Sequence, residues 1–156
     1  MGLKRAFVIG LCLAAVAAVV MLVAVIIRPP KIYISEICPS NSETSKKTAM
    51  QDKNGEPSDW IEIYNPTNKD ISLTGFSLSK NGGGDQPLGG YVIKAHDYII
   101  VYCSSAGFEN ADFPHADFSI GKVSEAEIIL KYDSLQCESI KLPELNKGVS
   151  YSKNVK

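Results

Sequence analysis

The most informative segment of the chain reads Asp59-Trp60-Ile61-Glu62-Ile63-Tyr64-Asn65. Its two isoleucines alternate with aromatic and acidic residues, which is the period-two pattern of a β-strand with one buried face. Residues 52–58 contain Asn-Gly and a proline, and residues 65–68 contain a second turn cluster, so turns bracket the strand on both sides. The segment therefore predicts the central strand of a small β-domain, with Ile61 and Ile63 pointing into the core.

Charge is distributed unevenly along the chain. Of 156 residues, 16 are Lys or Arg and 17 are Asp or Glu, which gives a net charge of -1 at pH 7. Lys4, Arg5 and Arg28 precede residue 31, whereas every acidic residue follows it, so the remainder is about four charges negative. No arginine occurs after Arg28. Because nucleic-acid surfaces rely on arginine and on basic stripes, this composition argues against DNA or RNA binding.

An apolar run without a charged residue extends from Ala6 to Ile27. It exceeds the roughly 20 residues that a helix needs to cross a bilayer. We interpret residues 6–27 as a transmembrane helix, an uncleaved signal anchor that follows a short N-terminus, residues 1–5. The alternatives are a cleaved signal peptide, with a small-x-small site at residues 15–17, and a buried core helix. Two prolines in residues 28–31 end the helix and form a short spacer.

The charges beside the apolar run predict its orientation. Lys4, Arg5 and the α-amino group favour a cytoplasmic N-terminus, although Arg28 and Lys31 oppose this preference. We therefore expect a single-pass protein of the cell membrane, with residues 31–156 extracytoplasmic at the cell surface.

The rest of the chain alternates between short apolar runs and polar turn clusters. Residues 39–52 predict a solvated loop, and the glycine-rich residues 81–90 predict a flexible hairpin loop rather than a phosphate-binding loop, because a strand follows them. The predicted strands are residues 32–37 with a β-bulge, 71–73 and 76–78 around a bend at Gly75, 91–93, 98–103 with both faces covered, 126–132 paired with 137–142, and 149–152. Roughly seven to nine short strands without a helix predict an all-β, antiparallel β-sandwich.

Several of these segments together resemble the lamin tail domain family, and the resemblance covers residues 32–153. The segments that carry it are Ile34–Ile37, Asp52–Gly55, Asp59–Asn65, Ile71–Ser79, His115–Ile120, Glu127–Leu142 and Ser150–Ser152. The resemblance implies an immunoglobulin-like fold for residues 32–153, followed by a short tail, residues 154–156. The family usually has a glycine in its last hairpin turn. Asp133–Gln136 replace it here, which predicts a longer or differently shaped turn.

The resemblance also implies an interaction module without catalytic activity. In nuclear lamins the domain contacts proteins and chromatin, but an acidic, membrane-anchored copy of the bacterial type need not share those partners. We expect the chain to bind protein or cell-envelope components. The alternative is a hydrolytic enzyme or an enzyme subunit whose active site the sequence does not reveal. A cleft of convergent titratable groups would favour the enzyme, and an exposed aromatic patch would favour the binder.

The candidate catalytic residues form no recognisable motif. His96-Asp97, and His115 with Asp117, could serve acid–base chemistry or bind a metal, but they lack the spacing of an H-E-x-x-H site. No serine lies in a G-x-S-x-G segment. We interpret these histidines as surface or turn-capping residues, and we predict no catalytic residue and no cofactor.

A possible calcium site surrounds Gly55. Asp52, Asn54, Glu56 and Asp59 place oxygen ligands at close spacing, as calcium prefers. The spacing departs from that of an EF-hand, so a turn capped by carboxylates is the preferred interpretation.

The cysteines leave open whether the domain contains a disulfide. Cys12 lies in the apolar run, and three more follow, so at most one disulfide can form within the domain; the three are Cys38, Cys103 and Cys137.

Overall fold

The computed structural model describes residues 8–10, 12–19, 29–41, 50–52, 55–104, 113–121 and 126–153. The chain divides into two compact units, Met1–Pro30 and Lys31–Lys156. In the first unit, residues 8–10 and 12–19 are helical and their side chains are exposed. Among the described residues, no helix is long and apolar enough to span a bilayer. The other residues of the predicted span, 6–7, 11 and 20–27, lie outside the described part of the chain.

The second unit is built from short strands. In its described residues they are β1 (Tyr33–Cys38), β2 (Asp59–Tyr64), β3 (Ile71–Ser72), β4 (Phe76–Lys80), β5 (Gln86–Pro87), β6 (Val92–Ile93), β7 (Tyr98–Cys103), β8 (His115–Ala116), β9 (Glu127–Tyr132), β10 (Leu135–Lys141) and β11 (Tyr151–Ser152). The largest sheet has the order β11-β1-β2-β7-β8, the second has the order β10-β9-β4-β5, and β3 pairs with β6. The all-β fold with antiparallel sheets is confirmed. The β7–β8 pair departs from it, because it is parallel.

β2 lies inside the largest sheet, between β1 and β7. Ile61 and Ile63 are fully buried, as their alternation predicts. They belong to one apolar cluster that both large sheets share, whose members include Ile34, Ile37, Val101, Phe76, Leu78, Ile128 and Leu130. Because side chains from both sheets meet in this cluster, the core lies between the sheets.

The predicted irregularity of the first strand is confirmed. The register of β1 against β2 shifts between Ile34 and Glu36, which leaves Ser35 as the extra residue of a β-bulge. The bulge turns both Ile34 and Ile37 into the core, although an odd number of positions separates them. The N–H of Ile34 donates to Glu138 Oε2 of β10 at 2.8 Å, so this site also links the two large sheets.

The residue that ends β2 organises the turn beyond it. The side chain of Asn65 is fully buried, and its Nδ2 donates to the carbonyl oxygens of Lys69, Ile93 and Lys94 at 2.7, 3.1 and 2.9 Å. Its Oδ1 accepts from the Thr67 N–H at 3.0 Å. The side-chain amide of Asn65 therefore holds the 65–69 turn against the end of β6. Both of its polar atoms are hydrogen-bonded, as buried polar groups usually are.

One strand prediction and one loop prediction need correction. β7 is not covered on both faces along its whole length, because a strand in a two-layer sandwich meets the second layer on one side. Val101 is buried, whereas Tyr98 is 52% exposed. Residues 39–41 are buried rather than solvated, since Asn41 Nδ2 donates to the carbonyl oxygens of Met50 and Ser58, each at 2.7 Å. Residues 42–49 of that loop lie outside the described residues.

The two predicted hairpins differ from expectation in detail. Within residues 81–90, β5 pairs with β4 and Leu88 is buried, so this hairpin loop is anchored to the core. The turn between β9 and β10 is not lengthened by the loss of its usual glycine. Asp133 and Ser134 alone separate the strands, and their φ angles are 44° and 68°. Both residues take the left-handed conformation that a two-residue hairpin turn requires.

The bend at Gly75 is a turn with little space for a side chain. Its φ is +86°, and a Cβ there would lie 2.9 Å from Asp133 Oδ1 and 3.1 Å from Tyr132 Cε2. Asp133 also donates its N–H to the Gly75 carbonyl at 2.9 Å, so the turn at Gly75 is bonded to the hairpin turn between β9 and β10.

We expect Gly75→Ala to lower the free energy of unfolding by about 1–3 kcal/mol, the range for a residue forced into an unfavourable backbone region. Gly84→Ala is the control, because nothing lies within 4 Å of its added Cβ and its φ is not positive. Urea denaturation of the two variants measures the difference. Equal midpoints would show that the turn at Gly75 adapts without strain.

Ile63→Ala tests the packing of β2. Removing a fully buried aliphatic side chain costs roughly 2–5 kcal/mol, because the core closes over the cavity only in part. Ile100→Ala, at a partly exposed position of the neighbouring strand, should cost clearly less. Thermal unfolding followed by circular dichroism gives both values, and similar losses at the two positions would contradict this assignment of faces.

Candidate functional site

The outer face of the largest sheet carries three rows of side chains, aligned by the pairing of β1 with β2 and of β2 with β7. The tyrosine row consists of Tyr33, Tyr64 and Tyr98. The glutamate row consists of Glu36, Glu62 and Ile100. The tryptophan row consists of Cys38, Trp60 and Tyr102. The rows occupy this face because residues next to a core position on a strand point to the opposite side.

The tyrosine row is the accessible aromatic part of this face. The rings of Tyr64 and Tyr98 are stacked, with centroids 4.5 Å apart and an interplanar angle of 26°. The ammonium of Lys31 lies 5.5 Å from the centroid of the Tyr33 ring, within the range of a cation–π interaction. The tryptophan row is covered instead, since Trp60 is only 9% exposed and Tyr102 packs edge-on against Phe113.

A groove of about 430 Å³ lies beside the tyrosine and glutamate rows. Its lining residues come from β1, β2, β7 and the end of β11, and they are Ser35, Glu36, Glu62, Tyr64, Tyr98, Ser152 and Lys153. The groove thus combines aromatic rings with carboxylates, and it opens on the side of the sheet that faces away from the core.

Glu36 and Glu62 lie directly opposite each other on neighbouring strands. Ser35 Oγ donates to Glu62 Oε1 at 2.7 Å, and the hydroxyl of Ser150 donates to Glu36 Oε1. Lys153 pairs with Glu138 of β10 rather than with either of them. No cation from the described residues lies between the two carboxylates, although like charges in directly opposed positions destabilise a sheet.

The structure places two of the calcium candidates in separate hydrogen-bond networks. Asp52 accepts from the Glu56 N–H at 3.1 Å and from Ser58 Oγ at 3.0 Å, which closes the turn around Gly55. Asp59 is fully buried, and its Oδ2 accepts from Ser119 Oγ at 3.0 Å and the Gly121 N–H at 2.9 Å. Of the other two candidates, Glu56 contributes its N–H to the Asp52 turn, and Asn54 lies outside the described residues. The described residues of the chain form no cluster of three or more His, Cys, Asp or Glu side chains suited to a metal. Calcium binding stays the alternative to the preferred interpretation, a turn capped by carboxylates.

The two histidines lie near opposite ends of β7. His96 has a φ of 57°, and its Nε2 lies 2.5 Å from Asn68 Oδ1, so it belongs to a turn. His115 aligns with Tyr102 near the other end, about 13 Å along the strand from Tyr98 at 3.3 Å per residue. The structure therefore does not combine His96 and His115 into one site.

His115 does lie in a serine–histidine–aspartate arrangement. Its Nε2 is 3.3 Å from Ser104 Oγ, and its Nδ1 is 3.4 Å from Asp117 Oδ1. That is the order of groups in a nucleophilic triad, although both distances exceed the roughly 2.6–3.2 Å typical of one. The Ser104 N–H donates to the Ala116 carbonyl at 3.2 Å, so it does not serve an oxyanion hole. The contacts hold β8 against β7.

The comparison with known families agrees with this architecture. A family model described as Lamin Tail Domain matches residues 28–139, which is more than half of the chain. The chain belongs to the lamin tail domain family. Lamin tail domains are non-catalytic, immunoglobulin-like modules. No curated protein matches the chain.

The cysteines of this lamin tail domain are free thiols. Burial raises the pKa of Cys38 to about 11 and that of Cys103 well above its usual value, and in both cases the nearby Asp59 carboxylate adds to the effect. Since the thiolate is the reactive form, these two cysteines are suited to packing rather than chemistry. Cys137 is exposed on β10, and partial burial also raises its pKa.

Sequence reasoning did not single out the residues of the groove. Tyr98 and Glu62 were assigned to strands, but which side chains on neighbouring strands become neighbours depends on register, and register becomes visible only in the structure. Ser104 was missed for a similar reason, because ten residues separate it from His115 in the sequence. The alternation of β2 was the available signal, since it places Glu62 and Tyr64 on the outer face.

The partial burial of His115 predicts a pH dependence of stability. Burial lowers its pKa below the usual 6.5, while the carboxylates of Asp117 and Asp52 oppose the shift. The unfolded chain therefore binds a proton at a higher pH than the folded one, so stability should fall as pH drops through about 6.5 toward the folded-state pKa.

Chemical denaturation of the wild type and of His115→Gln between pH 7.5 and 5 checks this, with the loss of stability smaller in the variant. His96→Gln is the matched control, because His96 lies in an exposed turn. A pH profile that His115→Gln leaves unchanged would contradict the assignment.

Proposed function

We propose that this lamin tail domain is a membrane-tethered, extracytoplasmic interaction module that binds protein or cell-envelope components and has no catalytic activity. The observation that carries the binding role is the groove of the outer face, where the exposed Tyr98 stacks on the half-buried Tyr64 beside two opposed carboxylates. Aromatic side chains with one polar end are typical of recognition surfaces, because they contribute large contact areas at little cost in conformational freedom.

The membrane tether rests on the apolar run of residues 6–27 and on the basic residues before it. A single-pass anchor with a Pro29-Pro30 spacer would hold the module close to the membrane. Tethering raises the effective concentration of partners in the envelope, so that even a modest affinity supports binding. The net negative charge of residues 31–156 fits a protein or envelope partner better than a nucleic acid.

Hydrolysis at Ser104 is the second candidate, and the geometry around His115 is the observation that favours it. It is the weaker of the two. The Asp117 side chain is 58% exposed, so water competes for the contact that would have to orient the histidine. The backbone N–H of Ser104 is already bonded within the sheet.

Site-specific crosslinking in intact cells tests the proposal. We expect a photoreactive residue at position 98, in the groove, to form adducts with envelope components, because partners bind there. The same residue at Gly84, an exposed loop position outside the groove, is the control and should give far fewer adducts. Protease added to the same cells should digest residues 31–156 without lysis.

Three results would count against the proposal. Equal crosslinking from both positions would remove the groove from recognition. Digestion only after lysis would reverse the orientation. Hydrolysis of a p-nitrophenyl ester by the purified chain, lost in Ser104→Ala and retained in Ser119→Ala, would replace the binding module with the hydrolase.

A further inference from the structure

We propose that the groove binds lysine or arginine side chains of a basic polypeptide segment. The inference rests on the proposed binding function and names the chemistry of its ligand. It follows from the charge arrangement and from the aromatic surface of the groove, which are independent observations.

The charge arrangement calls for a cation. Glu36 and Glu62 are cross-strand neighbours on one face, and both line the groove. A serine hydroxyl donates to the Oε1 atom of each, and the structure shows no donor to either Oε2 among its described residues. Two like charges in this position destabilise the sheet. An ammonium or guanidinium group that lies between them would donate hydrogen bonds to both carboxylates and remove the repulsion.

The aromatic surface accepts the same kind of group. The chain itself supplies an example, since the Lys31 ammonium lies over the Tyr33 ring at one end of the tyrosine row. The stacked rings of Tyr64 and Tyr98 continue that row along the groove. A cation over a tyrosine face is attracted by the ring electrons, and an arginine can also stack flat on it.

Other ligand classes satisfy only part of the site. A neutral sugar could stack on Tyr98, but it would leave the charges of Glu36 and Glu62 uncompensated. A calcium ion takes about six to eight oxygen ligands, whereas the described residues show no cluster of three or more acidic, histidine or cysteine side chains. Lys153 at the rim is paired with Glu138, so the groove keeps a net negative charge toward a ligand.

Isothermal titration of the full-length chain in a mild neutral detergent tests the inference. The probe is a short peptide of alternating lysine and serine, with an arginine–serine peptide as a second ligand and a glutamate–serine peptide as the negative control. We expect saturable binding of both basic peptides, weakening as salt rises, because the contacts are partly exposed charges.

Single substitutions locate the binding in the groove. Glu62→Gln and Tyr98→Leu should each lower the affinity by about two- to fivefold, the range for an exposed ion pair or cation–π contact. Tyr98→Phe keeps the ring and should keep the affinity. Glu144→Gln removes one exposed negative charge outside the groove and should leave the affinity unchanged.

A stability measurement separates recognition from a merely structural role. Glu62→Gln should raise the melting temperature of the free protein by about 1–4 °C while it weakens peptide binding, because it removes the repulsion from Glu36. The glutamine keeps an Oε1 that can accept from Ser35 Oγ. A structural role alone would lower the melting temperature instead, and that result would overturn the inference.

Other results of these experiments would also overturn the inference. The inference is wrong if neither basic peptide binds, or if Glu62→Gln and Glu144→Gln weaken binding equally. Binding of a neutral oligosaccharide that Tyr98→Leu abolishes would assign the groove to glycans and overturn the basic ligand, while the proposed binding function would stand. That function fails separately, by loss of position-specific crosslinking in cells.

Discussion

The alternation of side chains along β2 is the constraint on which the rest of the domain depends. β2 pairs with a strand on each side, so its position fixes the register of β1 and β7 together. Ile61 and Ile63 have to face the core, because burying them is a main source of stability. Trp60, Glu62 and Tyr64, which alternate with the two isoleucines, then have to lie on the outer face. The groove is therefore a direct consequence of core packing. A one-residue shift in the strand pairing would exchange the core-facing and the outward-facing side chains, so the two faces are fixed together.

The polar residues at the two ends of β2 explain why the motif begins with aspartate and ends with asparagine. Both Asp59 and Asn65 are fully buried, and each is satisfied by hydrogen bonds to distant segments. Asp59 holds residues 119–121, whereas Asn65 holds the turn at 65–69 and the end of β6. An apolar residue at position 59 would remove the acceptor of the Ser119 hydroxyl and the Gly121 N–H, and one at position 65 would remove the donor to three carbonyl oxygens. Leaving such groups unpaired away from water costs more than the net value of one hydrogen bond. The two side chains thus define where the strand begins and ends.

The sequence predicted those parts of the fold that depend on local pattern. The buried face of β2, the bulge in β1, the bend at Gly75 and the hairpin of β9 and β10 all follow from alternation and turn residues. The two-residue strand β8 did not, because its pairing with β7 is parallel and so short that it leaves no periodic signal. The tightness of the last hairpin turn was also missed. Aspartate tolerates the left-handed conformation better than most residues, and Ser134 follows it there because the strands on both sides are paired.

The candidate site was less predictable than the fold because it depends on one detail of register. Ile34 and Ile37 both have to reach the core, yet they are separated by an odd number of positions, so β1 cannot remain regular between them. The bulge resolves this conflict by placing two residues of β1 opposite one of β2. Those two residues are Ser35 and Glu36, and the one they oppose is Glu62. The same irregularity that completes the core therefore sets a hydroxyl and a second carboxylate beside Glu62. A regular strand would have placed Ser35 alone there, with no opposed pair of charges and no acidic groove.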